Sequence, residues 1–562
     1  MNKYSKYLIG VILCAFINSG NVFAKTPAEV NALIVEILKG NKTTETIDKY
    51  TDIIKKNPED LEALKIRGVL YTALEQYENA IADLEKVYKN DAKDEMVKVA
   101  LGEAYCEYGF TFRWTGKYDK AIEILNKSIE VNPNYYRPWF YRGRTNNLNG
   151  DQIKAMADYS KSIELDPKFP FAYNNRGAGY VENKEYAKAM KDFNKALEID
   201  STGECAIMAY KNRGDLYAKQ GDKDSALRDY NKCLKLDPKK GDALYRRGGI
   251  FYERRDLKKA IQDYSEYIKI YPKSGDAYYM RGLSYDLMKD YEKAISDFGK
   301  AIEFNPKDKI ALFHRAYTGG KIRDYEQVIE DYNKMVEVGG VDKYVYNNRG
   351  IAYLEKGNYD LALEDFESAI ELGLTLYPEC GKGQIYFMQG NLDLALEQFD
   401  KSLKIAKNME SFLGKVMVYN DKKKKGDILG IADKVKEYLE QEIASDKNKS
   451  SNYSELAELY CEVGIRLDNA MEMAQKAVEL DADPYNYYVL GLCWYKKGDL
   501  KKAIENLEKS KSLKRMSTRE LYRLGSIYKE AGNTAKAKEV WQEGLKINPV
   551  HRFIKTEMEK VK

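Results

Sequence analysis

The sequence predicts an all-α fold, an α-solenoid of tandem helix–turn–helix units. Three observations predict it. The 34-residue stretch from Gly275 to Asp308 reads as two amphipathic helices around a short polar turn. The same stretch recurs, with variations, from Pro27 to His551, and self-similarity at such a period marks a repeat array. Small residues recur at two fixed positions of the period and proline at a third. That is what two closely packed helices and a helix stop require.

The elements follow in order once Gly282 is position 8 of its unit and Pro306 position 32. Residues 1–24 read as a secretory signal peptide: Lys3 and Lys6, then an apolar run from Tyr7 to Ile17, then Val22-Phe23-Ala24 before a cleavage point. Pro27 to Asp60 is a degenerate first unit, with Leu33, Ile37, Tyr50 and Pro58 in phase. Clear units run 61–94, 95–135, 136–169, 170–206, 207–240, 241–274, 275–308, 309–342, 343–375 and 376–409. The stretch 410–449 breaks phase at four lysines, Lys422 to Lys425, and is expected to be a seam. It divides an N-terminal array (25–409) from a C-terminal array (450–551), which a polar capping helix (552–562) completes.

Position 8 is glycine in most units (Gly177, Gly214, Gly282, Gly350) and position 20 is alanine (Ala189, Ala226, Ala294, Ala362). In an antiparallel hairpin these positions meet, so small faces small and the backbones approach. Glycine in a helix costs up to about 1 kcal/mol against alanine, so its recurrence implies a packing gain. The full pattern is aromatic–x–x–[Leu/Arg]–Gly–x–x–Tyr, then Gly/Asp–x–Tyr–x–x–Ala–x–x–x–[Tyr/Phe]–x–x–Ala, ending Asp-Pro. It resembles the tetratricopeptide repeat family over essentially the whole chain beyond residue 24. The resemblance implies a right-handed superhelix whose first helices line a concave groove, and a general interaction scaffold.

A second regularity lies inside the first. Position 7 is Arg in eight units and position 23 is Asp in the same eight, among them Arg176 with Asp192, Arg213 with Asp229 and Arg281 with Asp297. The spacing predicts a structural ion pair between the two helices of each unit. Units that lack the Arg also lack the Asp, as with Leu101 and Ile124. Unit 95–135 carries seven extra residues within the ten-residue stretch CEYGFTFRWT between Tyr105 and Gly116, expected to lengthen its helices and to carry Phe110, Phe112 and Trp114 beyond the array or onto a neighbour.

The groove positions implied by the resemblance (2, 5, 6, 9, 12 and 13) give Asn174, Asn175, Lys211, Asn212, Tyr245, Arg246, Tyr279, His314, Asn347 and Asn348. Asparagine offers an extended peptide both donor and acceptor, and tyrosine offers stacking area. The family's lysine/asparagine clamp for a terminal carboxylate is not reproduced. Lys211 is in phase, but Asp215 and Asp242 stand where asparagine and lysine are needed.

Charge narrows the classes. Basic residues number 92 and acidic ones 88, a balance that argues against nucleic acid as partner. Two histidines and no CxxC, P-loop or GxSxG leave no catalytic, cofactor or metal constellation. The six cysteines beyond residue 24 fall in different units, and only neighbouring units of a solenoid are expected to touch. They read as free, with Cys205 and Cys233 the best-placed pair. The expectation is therefore a non-catalytic, exported scaffold of the cell envelope, periplasmic or secreted. It binds a protein or peptide, and has no membrane span beyond the leader. A carbohydrate-binding or polysaccharide-export accessory, with groove aromatics stacking on sugars, is the alternative; anchoring as a lipoprotein at Cys14 is a lesser one.

Overall fold

The computed structural model describes residues 43–561. The leader, Cys14 and the first helix of the degenerate unit lie outside them. The described residues form 30 helices in tandem pairs and no strand. None of these helices is long and apolar enough to cross a membrane. They fall into two compact units, divided between Ile250 and Phe251.

The repeat Gly275–Leu287, Tyr291–Phe304 shows how sequence makes the hairpin. Lys289 takes φ 62° in the turn between the helices, and Asn305-Pro306 ends the second helix. Gly282 is required by the closeness of the second helix. A Cβ there would stand 2.8 Å from Phe298 and 3.3 Å from the Ala294 carbonyl. The glycine therefore makes room for the ring at position 24 as much as for the backbone at position 20. The expectation of small against small gave only the second half of this contact.

The Arg–Asp pairs cross each hairpin. Arg176, Arg213 and Arg281 donate from Nε and Nη2 to both oxygens of Asp192, Asp229 and Asp297, at 2.7 to 2.9 Å. Arg67, Arg142, Arg315 and Arg349 do the same to Asp83, Asp158, Asp331 and Asp365. The aspartates are buried. Nη1 reaches back to the preceding repeat, as from Arg281 to Ser265 Oγ at 3.0 Å and from Arg349 to Asn333 at 2.9 Å. Most of these arginines thus tie one hairpin together and to its neighbour; Arg315 faces Gly299 sixteen residues back, which offers no side-chain acceptor.

In the unit Phe251–Lys562 the chain also meets itself far along the sequence. Arg323, in a turn with φ 59°, donates to the Arg515 carbonyl at 2.8 Å and pairs with Glu520. Asn548 donates to Tyr359 Oη at 3.4 Å. Arg552 pairs with Asp421 at 3.3 Å, and Phe553 packs on Phe387. Contacts are therefore not confined to adjacent repeats, contrary to the simple solenoid expectation. Successive repeats curve enough that turns of 309–342 and 343–375 rest on ends of 484–517 and 518–551. The stretch 410–449 supplies helices Met409–Asp421 and Lys425–Ser445, and one apolar core runs from Leu413 to Ile554. All six cysteines are free. The close pair is Cys461 and Cys493, with Sγ atoms 3.0 Å apart, not Cys205 and Cys233.

Candidate functional site

The candidate site lies in the unit Met1–Ile250. The seven extra residues of repeat 95–135 enter its first helix alone. Glu95–Trp114 has 20 residues against 13 in Tyr136–Leu148, while the second helix, Tyr118–Val131, keeps 14. Of the inserted aromatics only Trp114 stands out, 71% exposed. Phe110 packs on Tyr141 with ring centroids 4.6 Å apart, and Phe112 packs on Tyr108 at 4.9 Å.

The longer helix carries Arg113 to a cavity of about 220 Å³. Arg113, Arg144, Asn147, Leu148, Tyr159, Asn175, Ala178, Gly179 and Glu182 line it. Arg113 is 5% exposed, and its Nε and Nη2 are buried without a hydrogen-bond partner. Burial, then the like charge of Arg144, lowers the Arg113 pKa to about 10. Burial also lowers that of Arg144.

The expected groove residues differ in what they offer. Asn174 and Asn347 are buried. Asn174 donates to Asn175 at 3.2 Å and accepts from Asn212 at 3.0 Å; Asn347 donates to Asn348 at 3.1 Å. At position 5, Asn174 joins its first helix to the next through Asn212, while Asn347 bonds Asn348 of its own helix, and both are buried. Asn175, Asn212 and Asn348 are half-buried beside them. Lys211 pairs with Asp215 at 3.0 Å, which itself accounts for the absence of a clamp. Arg246 is exposed, with Nε 3.9 Å from Asp215. Tyr245 is half-buried. Tyr279 packs against Phe298 and His314, at 5.8 and 5.5 Å. Burial lowers the His314 pKa.

Glu103, Cys106 and Glu107 bring three ligand atoms within 4.8 Å of one another, the one such group among the described residues. A cation already lies there. Arg137 donates to Glu103 at 2.6 Å and to Glu107 at 2.5 Å. In the other unit, first-helix charges pair across two repeats: Arg519 with Glu458 at 3.0 Å, and Arg523 with Glu462 at 2.7 Å. The sequence reading missed Arg113 and Arg144. Arg144 occupies position 9, a groove position, and no acidic residue stands sixteen residues on to claim it, since that residue is Ser160.

Sequence models described as tetratricopeptide repeat match residues 38–95, 102–135, 170–239, 211–275, 275–308, 344–372 and 521–551, about half of the chain. Small glutamine-rich tetratricopeptide repeat-containing protein 2 of Mycosarcoma maydis is 32% identical over 87 residues, 16% of this chain and 23% of that protein. Hsp70-Hsp90 organizing protein 2 of Arabidopsis thaliana is 28% identical over 99 residues, 18% of this chain and 16% of its own length. The chain thus spans less than a quarter of either curated relative. Among solved structures, YrrB, a TPR protein described as having an unusual peptide-binding site, is 25% identical over 34% of this chain and 96% of its own, with a TM-score of 0.30. A tetratricopeptide repeat protein of Parabacteroides merdae is 22% identical over 46% and 98%, with a TM-score of 0.31.

Proposed function

Because this chain belongs to the tetratricopeptide repeat family, we propose that it is a non-catalytic scaffold that seats an extended peptide segment of a partner protein. The seat is the groove of repeats 95–240. One observation carries the reading. First-helix polar side chains of successive repeats, Asn175 and Asn212, stand in one hydrogen-bonded row through Asn174, beside the Arg113/Arg144 cavity. A row at the repeat spacing presents amide donors and acceptors along a line, which an extended backbone can follow. In the other unit the comparable first-helix charges are paired with each other.

A photo-crosslinking amino acid at Asn175 tests this, with Glu164 on a second helix as control. Partner peptides recovered from position 175 and not from 164 support the groove. Equal recovery from both positions, or from 164 alone, overturns it. Our reading also assigns the protein to the cell envelope, on Lys3, Lys6 and the apolar run that follows. Purified protein from an envelope fraction should begin at Lys25; a chain beginning at Met1 would refute export.

A further inference from the structure

The geometry points to a carboxylate-binding subsite at Arg113 and Arg144, filled by an acidic side chain within the bound peptide. It rests on the peptide reading above and names the chemistry at its centre. The argument begins from what the arginines of this unit do elsewhere. Arg67, Arg142, Arg176 and Arg213 are each held by an aspartate sixteen residues on, and Arg137 by two glutamates. Arg113 and Arg144 have no carboxylate within ion-pair distance. Burying a charge without a partner is costly, and Arg113 is among the most buried charged side chains of the unit.

Its neighbours do not supply what is missing. The Arg113 guanidinium lies 4.6 Å from the ring centroids of Phe110 and Trp114, and that of Arg144 lies 5.6 Å from Phe140. Such contacts are favourable, but a ring face leaves the N–H groups Nε and Nη2 of Arg113 without an acceptor. A bound carboxylate would take two of them in a fork, the geometry guanidinium favours. The cavity supplies the room, about 220 Å³.

Its lining also selects the charge. Two arginines and Glu182 leave a net of one positive charge, and Glu182 is engaged by Gln152 Nε2 at 2.8 Å. That balance suits one carboxylate group in the cavity, whose two oxygens match the guanidinium fork. Asn147 and Asn175 flank the arginines with amides for the adjoining backbone. Groove side chains continue toward Asn212. A side chain entering the cavity therefore belongs to a chain running along the groove, which favours an internal Glu or Asp. The fold explains why the site exists at all. Among the described residues, only repeat 95–135 has a first helix as long as 20 residues, and it brings Arg113 to the groove of its successors.

The test uses the full chain as wild type, Arg113→Met and Arg144→Gln, in low-salt buffer at pH 7. The first probe is glutarate, with chloride at equal ionic strength as control, followed by thermal melting. Two acetylated, amidated peptides follow, Ala-Ala-Glu-Ala-Ala and its Gln counterpart, by calorimetry. Glutarate should raise the melting temperature of wild type and of neither variant. The Glu peptide should bind wild type about 10-fold more tightly than the Gln peptide, and both variants should lose that preference. Arg113→Met should itself melt no lower than wild type, because the charge it removes has no partner. Should Arg113→Met fail to fold, Arg144→Gln, half-buried and outside any hairpin pair, carries the test alone. Glutarate acting equally on all three proteins overturns the site. Glutarate acting on wild type alone, with neither peptide bound, retains the arginine site and overturns the peptide as its source. Equal binding of the two peptides to wild type overturns the acidic-side-chain assignment while leaving the groove reading intact.

Discussion

Replacing Arg281 by methionine measures what an interhelix pair is worth. Arg281 gives Asp297 two hydrogen bonds, of 2.7 and 2.8 Å, and Ser265 a third of 3.0 Å. Asp297 is 5% exposed, so the variant strands a carboxylate inside the hairpin with neither counter-ion nor solvent. Breaking such a pair from one side costs about 3–5 kcal/mol. Replacing both partners, Arg281→Met with Asp297→Leu, removes the stranded charge and should return to within about 1–2 kcal/mol of wild type. Urea unfolding followed by circular dichroism gives the energies, and native-state hydrogen exchange places them. In an array whose stability is a sum of local and nearest-neighbour terms, lost protection should centre on Gly275–Phe304 and its two neighbours. A single variant losing under 1 kcal/mol, or a double variant as unstable as the single, would refute the reasoning.

Four further variants test other contacts of the fold. Gly282→Ala pushes a Cβ to 2.8 Å from Phe298 and should cost about 1–2 kcal/mol by overpacking, despite the better helix propensity of alanine. Gly430→Ala, where a Cβ meets nothing within 4 Å, should gain up to about 1 kcal/mol; paired thermal melts check both. Arg323→Met leaves Glu520 buried without its cation and should cost about 3 kcal/mol. Hydrogen exchange should then accelerate at both 319–325 and 515–524, and acceleration at one segment alone would show that the segments do not support each other. Burial lowers the His551 pKa from 6.5 to about 4. The unfolded chain therefore binds the proton first. The neutral imidazole contributes stability above pH 6.5 that is lost as pH falls toward 4, by about 3 kcal/mol. His551→Asn keeps an acceptor for the Ile554 N–H and should flatten that part of the stability–pH curve.

What the sequence makes legible is whatever the repeat period repeats. The helix pairs, the glycine at position 8 and the sixteen-residue interval from Arg to Asp recur often enough to be read as geometry. Gly282 shows the limit even there. Its period says that something must be small, and only coordinates show that the ring of Phe298 lies over it. Asn174 and Asn347 show a second limit: position 5 reads as groove, but the curvature between adjacent repeats buries it. The contact of Arg323 with Glu520 was illegible because it joins two one-off residues across 197 positions. No recurrence marks either residue, and the curvature that brings them together is a sum of small rotations per repeat. Arg113 was illegible for a related reason. It sits in an insertion, outside the register that would have shown it to lack an aspartate.

Arginine therefore carries three different meanings in this chain, and partnership separates them. At position 7 it is paired within its hairpin, so its charge is spent on the fold. At Arg323, Arg519, Arg523 and Arg552 it is paired with carboxylates two or more repeats away, so its charge fixes how one compact unit closes on itself. Arg113 and Arg144 line one cavity without a carboxylate partner, and Nε and Nη2 of Arg113 lack an acceptor. A fold that pairs its position-7 guanidinium groups so regularly has no packing reason to bury that of Arg113 unsatisfied beside a second arginine. Their mutual repulsion adds to the burial penalty, so the arrangement lowers stability unless an anion is present. Anion binding there should accordingly be linked to stability, and the linkage sets a measurable relation. A ligand at 100 times its dissociation constant raises the unfolding free energy by about 2.7 kcal/mol when it binds only the folded state. A carboxylate that binds at this cavity must move the unfolding midpoint of wild type by the amount its own affinity dictates. An affinity without that shift would mean that the ligand sits elsewhere.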